Sequence, residues 1–122
     1  MSETAGLPGP VAHSIDLLVE SLGGLEALLA LHRESDRSWT PEEMAAQLRI
    51  SPRAARQELD RLSERGVADR ALSGDDPVYR YRPADADQAA HVARIAEAYA
   101  TRRIETINHV ASSQLRRMRA GP

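Results

Sequence analysis

Arg53, Arg56 and Gln57 are the residues of this sequence best placed to do chemistry on a ligand. At spacings of three and four they share one face of a helix. An arginine fork matches guanine O6 and N7, and a glutamine amide matches adenine N6 and N7. Ser51, one residue before Pro52, would bring a hydroxyl and the free N–H groups of a helix start to a phosphate. Arg61 and Arg65 follow on the same segment and could reach flanking phosphates. The chemistry these residues suggest is recognition of double-stranded DNA, not catalysis.

Other chemistries lack their residues. The chain has no cysteine, which removes disulfides, thiolate metal sites and thiol catalysis. His13, His32, His91 and His109 share no metal-ligand spacing. No Ser/His/Asp arrangement is evident, and a phosphate loop of the Walker type is excluded because all 16 positive charges are arginine. No cofactor, no metal and no enzymatic activity are expected. Asp75-Asp76 reads as turn chemistry. The first ten residues lack the basic and apolar regions of a signal peptide, and no apolar run is long enough for a membrane helix. A cytoplasmic protein without membrane contact is the expectation.

These side chains need a scaffold, and 122 residues supply one domain. Leu, Ile and Val number only 24 against 20 alanines, so the core is expected to be thin. Net charge is −2, but residues 1–48 carry 2 Arg against 8 acids while residues 49–82 carry 8 Arg against 6. Residues 11–34 have helical periodicity, with a break expected at Gly23-Gly24. Residues 33–38 read as a polar loop. Thr40-Pro41-Glu42-Glu43 is a capped helix start with a capping box, and Trp39 before it is expected to pack on the leucine-rich helix. A second capped helix runs from Ser51-Pro52 to Arg65 and stops at Gly66. On it, Ala55, Leu59 and Leu62 face opposite Arg53, Arg56 and Gln57, whereas Asp60 and Glu64 share the free face. Residues 67–72 and 78–82 are two short strands around a turn, the only sheet expected, with Tyr79 and Tyr81 covering the core.

Helix, short helix, tight turn, helix and hairpin make a winged helix-turn-helix. The segment TPEEMAAQLRISPRAARQELDRLSERGVADR, followed by VYRYRP, resembles the bacterial winged-helix transcriptional regulators of the MarR/ArsR-like superfamily. The likeness covers residues 25–83. It implies a mainly α fold, with a two-stranded hairpin wing and a long C-terminal helix. It also implies a sequence-specific DNA-binding regulator whose wing residues Arg80 and Arg82 would reach an adjacent groove or backbone.

Residues 1–10 read as a flexible lead, 11–83 as the winged-helix domain with its N-terminal helices, and 84–122 as a C-terminal helix. That helix carries an apolar stripe of Val92, Ile95, Tyr99, Ile107 and Val110, expected to meet its copy in a homodimer and pair two reading helices. The competing reading folds it back on its own N-terminal helices. Arg103 falls in the stripe, so it should either pair with an acid or extend to water with its stem buried. Ser112-Ser113 is a candidate interruption. The functional alternative is a winged-helix module that binds another protein, through the acidic N-terminal helices or the C-terminal helix.

Overall fold

The computed structural model describes residues 6–120. The expected lead therefore falls partly outside them, and where it is described, Gly9 and Pro10 already belong to the first helix. Six helices and three strands follow in the order α1 (Gly9–Leu18), α2 (Leu22–Arg33), β1 (Ser38–Trp39), α3 (Pro41–Leu48), α4 (Pro52–Glu64), β2 (Ala68–Ser73), β3 (Asp76–Tyr81), α5 (Ala86–Thr101) and α6 (Arg103–Ala120). This is a winged-helix fold, with α3 and α4 as the helix-turn-helix and β2–β3 as the wing.

Side-chain caps set several of the helix starts. Thr40 Oγ1 accepts from the Glu43 N–H at 3.1 Å while Glu43 Oε1 accepts from the Thr40 N–H at 3.0 Å, the reciprocal box expected there. Ser51 Oγ accepts from the Ala54 N–H at 3.0 Å to start α4. The turn between α3 and α4 runs through Arg49, whose φ of 60° is left-handed. Gly66 leaves α4 with φ +80°, which glycine adopts without steric cost.

The break after α1 lies at residues 19–21, not at Gly23-Gly24. Ser21 caps α2, its hydroxyl accepting from the Gly24 N–H at 3.0 Å. The glycines sit in the first turn of α2, where a Cβ on Gly24 would lie 3.1 Å from Glu58 Oε1. They let α4 approach closely.

The sheet has three antiparallel strands in the order β1-β3-β2, one more than expected. Ser38 pairs with Arg80 and Trp39 with Tyr79. A two-residue strand is too short to show alternation, so it vanished into the polar loop. Trp39, Met44, Leu59, Tyr79, Val92 and Ile95 are all 0% exposed and form the centre of the core. Tyr81 packs at its edge, as expected for the tyrosine face.

The single long C-terminal helix does not form. The chain breaks at Arg102 (φ −139°, ψ 56°) and continues unbroken through Ser112-Ser113 in α6. The break turns α6 back onto α1 and the turn after it, where His109 Nε2 meets Asp16 Oδ1 at 2.9 Å and Arg117 Nη1 donates to the Glu20 carbonyl at 2.9 Å. Val92, Ile95 and Val110 are thereby buried in the chain's own core, which corrects their assignment to an intersubunit face. Tyr99 is half-buried against the same core, and Ile107 is half-buried on α6. Because helical phase is lost at Arg102, Arg103 leaves the stripe altogether. It is exposed, with its guanidinium 4.7 Å from the centre of the Tyr99 ring.

Candidate nucleic-acid interface

Helix α4 divides as its sequence dictates. Ala55, Leu59 and Leu62 are buried at 0–2% exposure, while Arg53, Arg56 and Gln57 are exposed. Burying the three apolar side chains fixes the rotation of the helix, and that rotation turns the two arginines and the glutamine to solvent. Ser51 is exposed at the helix start, with its hydroxyl oxygen already engaged in the cap.

The remaining sequence candidates part company. Arg61 is exposed and lies 3.3 Å from Glu58 Oε1. Arg65 turns inward, donates to the Leu17 carbonyl at 2.9 Å and pairs with Glu20. It is a brace between α4 and the α1–α2 corner, which corrects its reading as a phosphate contact. Arg80 lies on β3 and Arg82 follows its last residue, Tyr81; Arg80, one residue after Tyr79, projects from the other sheet face. Tyr79 itself faces the core. Arg80 stands across from Asp69 in the ladder, and Arg82 lies 3.9 Å from Asp69 Oδ2. Arg82 and Arg56 pair with different carboxylates, Asp69 and Asp60.

Arg70 of the wing shares Asp60 with Arg56. It stands across from Tyr79 in the β2–β3 ladder and shares its face. Its Nε lies 3.7 Å from Asp60 Oδ1. Arg56 Nε lies 3.8 Å from the other oxygen, Oδ2. The Tyr79 hydroxyl donates to Asp60 Oδ1 at 2.5 Å. One carboxylate on α4 thus holds the wing to the helix and orients an arginine from each. Burial first, then the bond to Asp60 and its charge, hold the Tyr79 phenol above the ordinary tyrosine value of 10. Sequence reasoning counted Asp60 only as a charge opposing DNA and passed over Arg70. The signal available was register, since Arg70 aligns with Tyr79 once the turn is placed at Gly74-Asp75.

Between α4, the start of α3 and the wing lies an open cleft of about 300 Å³, lined by Pro41, Glu42, Pro52, Arg53, Arg56, Asp76 and Pro77. The prolines give it apolar walls without donors. Its two arginines face two acids, so the surface is mixed in charge and not strongly basic. Among the described residues no cluster of His, Asp and Glu is arranged to hold a metal ion, and no helix is long and apolar enough to cross a membrane.

No protein-family model matches the chain, and no curated protein matches it. Its architecture is similar to that of a solved structure, the X-ray crystal structure of YusO protein from Bacillus subtilis. The TM-score is 0.55 at 16% sequence identity, over 91% of this chain and 83% of that one. At that identity the likeness bears on the fold alone. It agrees with the winged-helix arrangement of α3, α4 and the β2–β3 hairpin.

Proposed function

We propose that this chain is a cytoplasmic, sequence-specific DNA-binding regulator that acts as a homodimer, with α4 in the major groove. The observation that carries the reading is the exposed Arg53–Arg56–Gln57 face on the second helix of a helix-turn-helix. Arg53 and Gln57 would read base edges from the first two turns, the end of a recognition helix that enters the groove. Ser51 and the first-turn N–H groups would sit at a phosphate. Arg56 and Arg70 would approach the duplex together from their shared tie to Asp60. No step here calls for catalysis or a cofactor.

One protomer offers few cations to this surface: Arg53, Arg56, Arg61 and Arg70, three of them within 4 Å of a carboxylate. That favours two copies acting together, because each phosphate contact adds only a modest increment of salt-dependent affinity. If about three of these contacts form per protomer, a dimer should show a slope near −5 in log K against log salt. The corrected face for self-association is the outer side of α6, where Ile107 remains.

The test is selection from a random-sequence duplex pool, followed by titration of the selected duplex across a salt series. Enrichment of a two-fold site with a slope of that order supports the reading. Absence of binding at low salt favours the other one, a protein-binding module. The acids Glu42, Asp75 and Asp76 around the cleft and wing turn are the feature that favours it.

A further inference from the structure

Asp60 is an acid on a surface proposed to meet a polyanion. It follows Arg53 by seven residues and Arg56 by four on α4. That places it about one turn beyond Arg56, towards the end of the helix that in the DNA reading lies nearer the phosphates than the bases. Three groups surround it. The Tyr79 hydroxyl donates to Oδ1 at 2.5 Å, Arg70 Nε lies 3.7 Å from the same oxygen, and Arg56 Nε lies 3.8 Å from Oδ2. Among the described residues neither arginine has another carboxylate within 4 Å.

Tethering the wing does not by itself call for a carboxylate, because an amide oxygen or a hydroxyl would accept from Tyr79 as well. Stability does not call for one either. Asp60 is 38% exposed, Arg56 52% and Arg70 42%, and ion pairs so open to water contribute little. What only a carboxylate does here is hold two guanidinium groups by charge, and the edge by which it holds them matters. A guanidinium has a side edge that carries Nε and an end edge that carries both Nη groups. Both arginines turn Nε to Asp60. The end edge, the fork that fits guanine O6 and N7 or two phosphate oxygens, is left for another acceptor. An arginine without this hold would turn its fork to a phosphate, which every sequence offers alike. Asp60 opposes that choice twice: its charge repels phosphates, and its hold on Nε keeps Arg56 on the helix face it shares with Arg53 and Gln57.

We infer that Asp60 is a positioning residue for selectivity, holding Arg56 for a guanine edge and keeping both Arg56 and Arg70 from settling on the backbone of any duplex. It lowers affinity in general and raises discrimination. The inference rests on the DNA reading above and names what sets selectivity at that same site.

Asp60→Asn deletes the charge, keeps the shape and leaves an oxygen for Tyr79. Asp60→Asn, Arg56→Lys and the double variant are titrated beside the parent on the selected duplex and on a scrambled one across a salt series, with thermal melts to confirm folding. Asp60→Asn should bind the scrambled duplex more tightly, with a salt slope steeper by up to about 2 per protomer as two arginines reach phosphates. The ratio of the two affinities should fall about fivefold or more, the discrimination that one bidentate base contact supplies. Arg56→Lys keeps the charge without the fork, so its ratio should fall as well. The double variant should fall no further than the lower single variant, because the two residues act as a unit. Weaker binding of Asp60→Asn to the scrambled duplex, the mark of a loosened wing, overturns the positioning role. An unchanged ratio, the mark of simple charge removal, overturns it too, as does a double variant whose losses multiply. If the parent selects no duplex at all, the DNA reading falls and this inference falls with it.

Discussion

Replacing Tyr79 by Phe deletes one atom from the joint between the wing and α4. The lost hydroxyl donates to Asp60 at 2.5 Å, and a hydrogen bond to a charged acceptor contributes about 1.5–3 kcal/mol. Asp60 is 38% exposed and keeps Arg56 and Arg70 within 4 Å, so water and the arginines compensate part of the loss. The expected cost near neutral pH is therefore at the low end, about 1–1.5 kcal/mol, or a melting temperature lower by about 3–6 °C for a chain of this size. Urea unfolding followed by fluorescence reads it well, because the one tryptophan, Trp39, pairs with Tyr79 across the β1–β3 ladder. A pH series adds a second constraint. The folded phenol titrates above 10, so it stabilises the neutral form. Its contribution is complete below pH 10 and is lost as pH rises through the elevated value. The parent should therefore lose stability in alkali faster than Tyr79→Phe, and the gap between them should close. Tyr81, raised by burial, titrates in both proteins and leaves some alkaline loss in each. Equal stability near neutral pH, or a gap that stays constant into strong alkali, would refute the joint as described.

Ile95→Ala should lower stability by about 2–5 kcal/mol in chemical denaturation and leave the mass by light scattering unchanged, because Ile95 is a core residue of its own chain. Arg49→Gly should raise stability by about 0.5–1 kcal/mol in a thermal melt, relieving a left-handed φ of 60° at the end of α3. Arg65→Ala should cost about 1 kcal/mol of stability through the lost bond to Leu17 and pair with Glu20. On DNA its salt slope should match the parent's.

The local signals in the sequence were sufficient for α3, α4 and the hairpin. A capping box, two proline starts, a glycine stop and a glycine turn are each written in adjacent residues, and each formed where it was expected. What failed depended on partners distant in sequence. Gly23-Gly24 looked like a break, but their role is to admit Glu58, 34 residues away. β1 exists only because β3 is there to pair with it. The C-terminal helix carries no proline or glycine to announce its break. Without that break, Val92, Ile95 and Val110 appeared to be a stripe without a partner. At the candidate interface, Arg53, Arg56 and Gln57 were legible because α4 has a buried and a free face. The placement of Arg65, Arg70 and Arg80 was not, because strand register and tertiary hydrogen bonds decide which way an arginine turns.

The central claim is that α4 reads DNA through its exposed face, and it is tested most directly by titrating Arg53→Ala, Arg56→Ala, Gln57→Ala and Arg80→Ala on a selected duplex and a scrambled one. Thermal melts confirm that each variant folds, as expected for exposed side chains. Each α4 variant that loses a base contact should lose about 1–3 kcal/mol on the selected duplex and less on the scrambled one. Arg80→Ala, on the far face of the sheet, should bind both like the parent. If the three α4 variants bind both duplexes as tightly as the parent, α4 is not the reader.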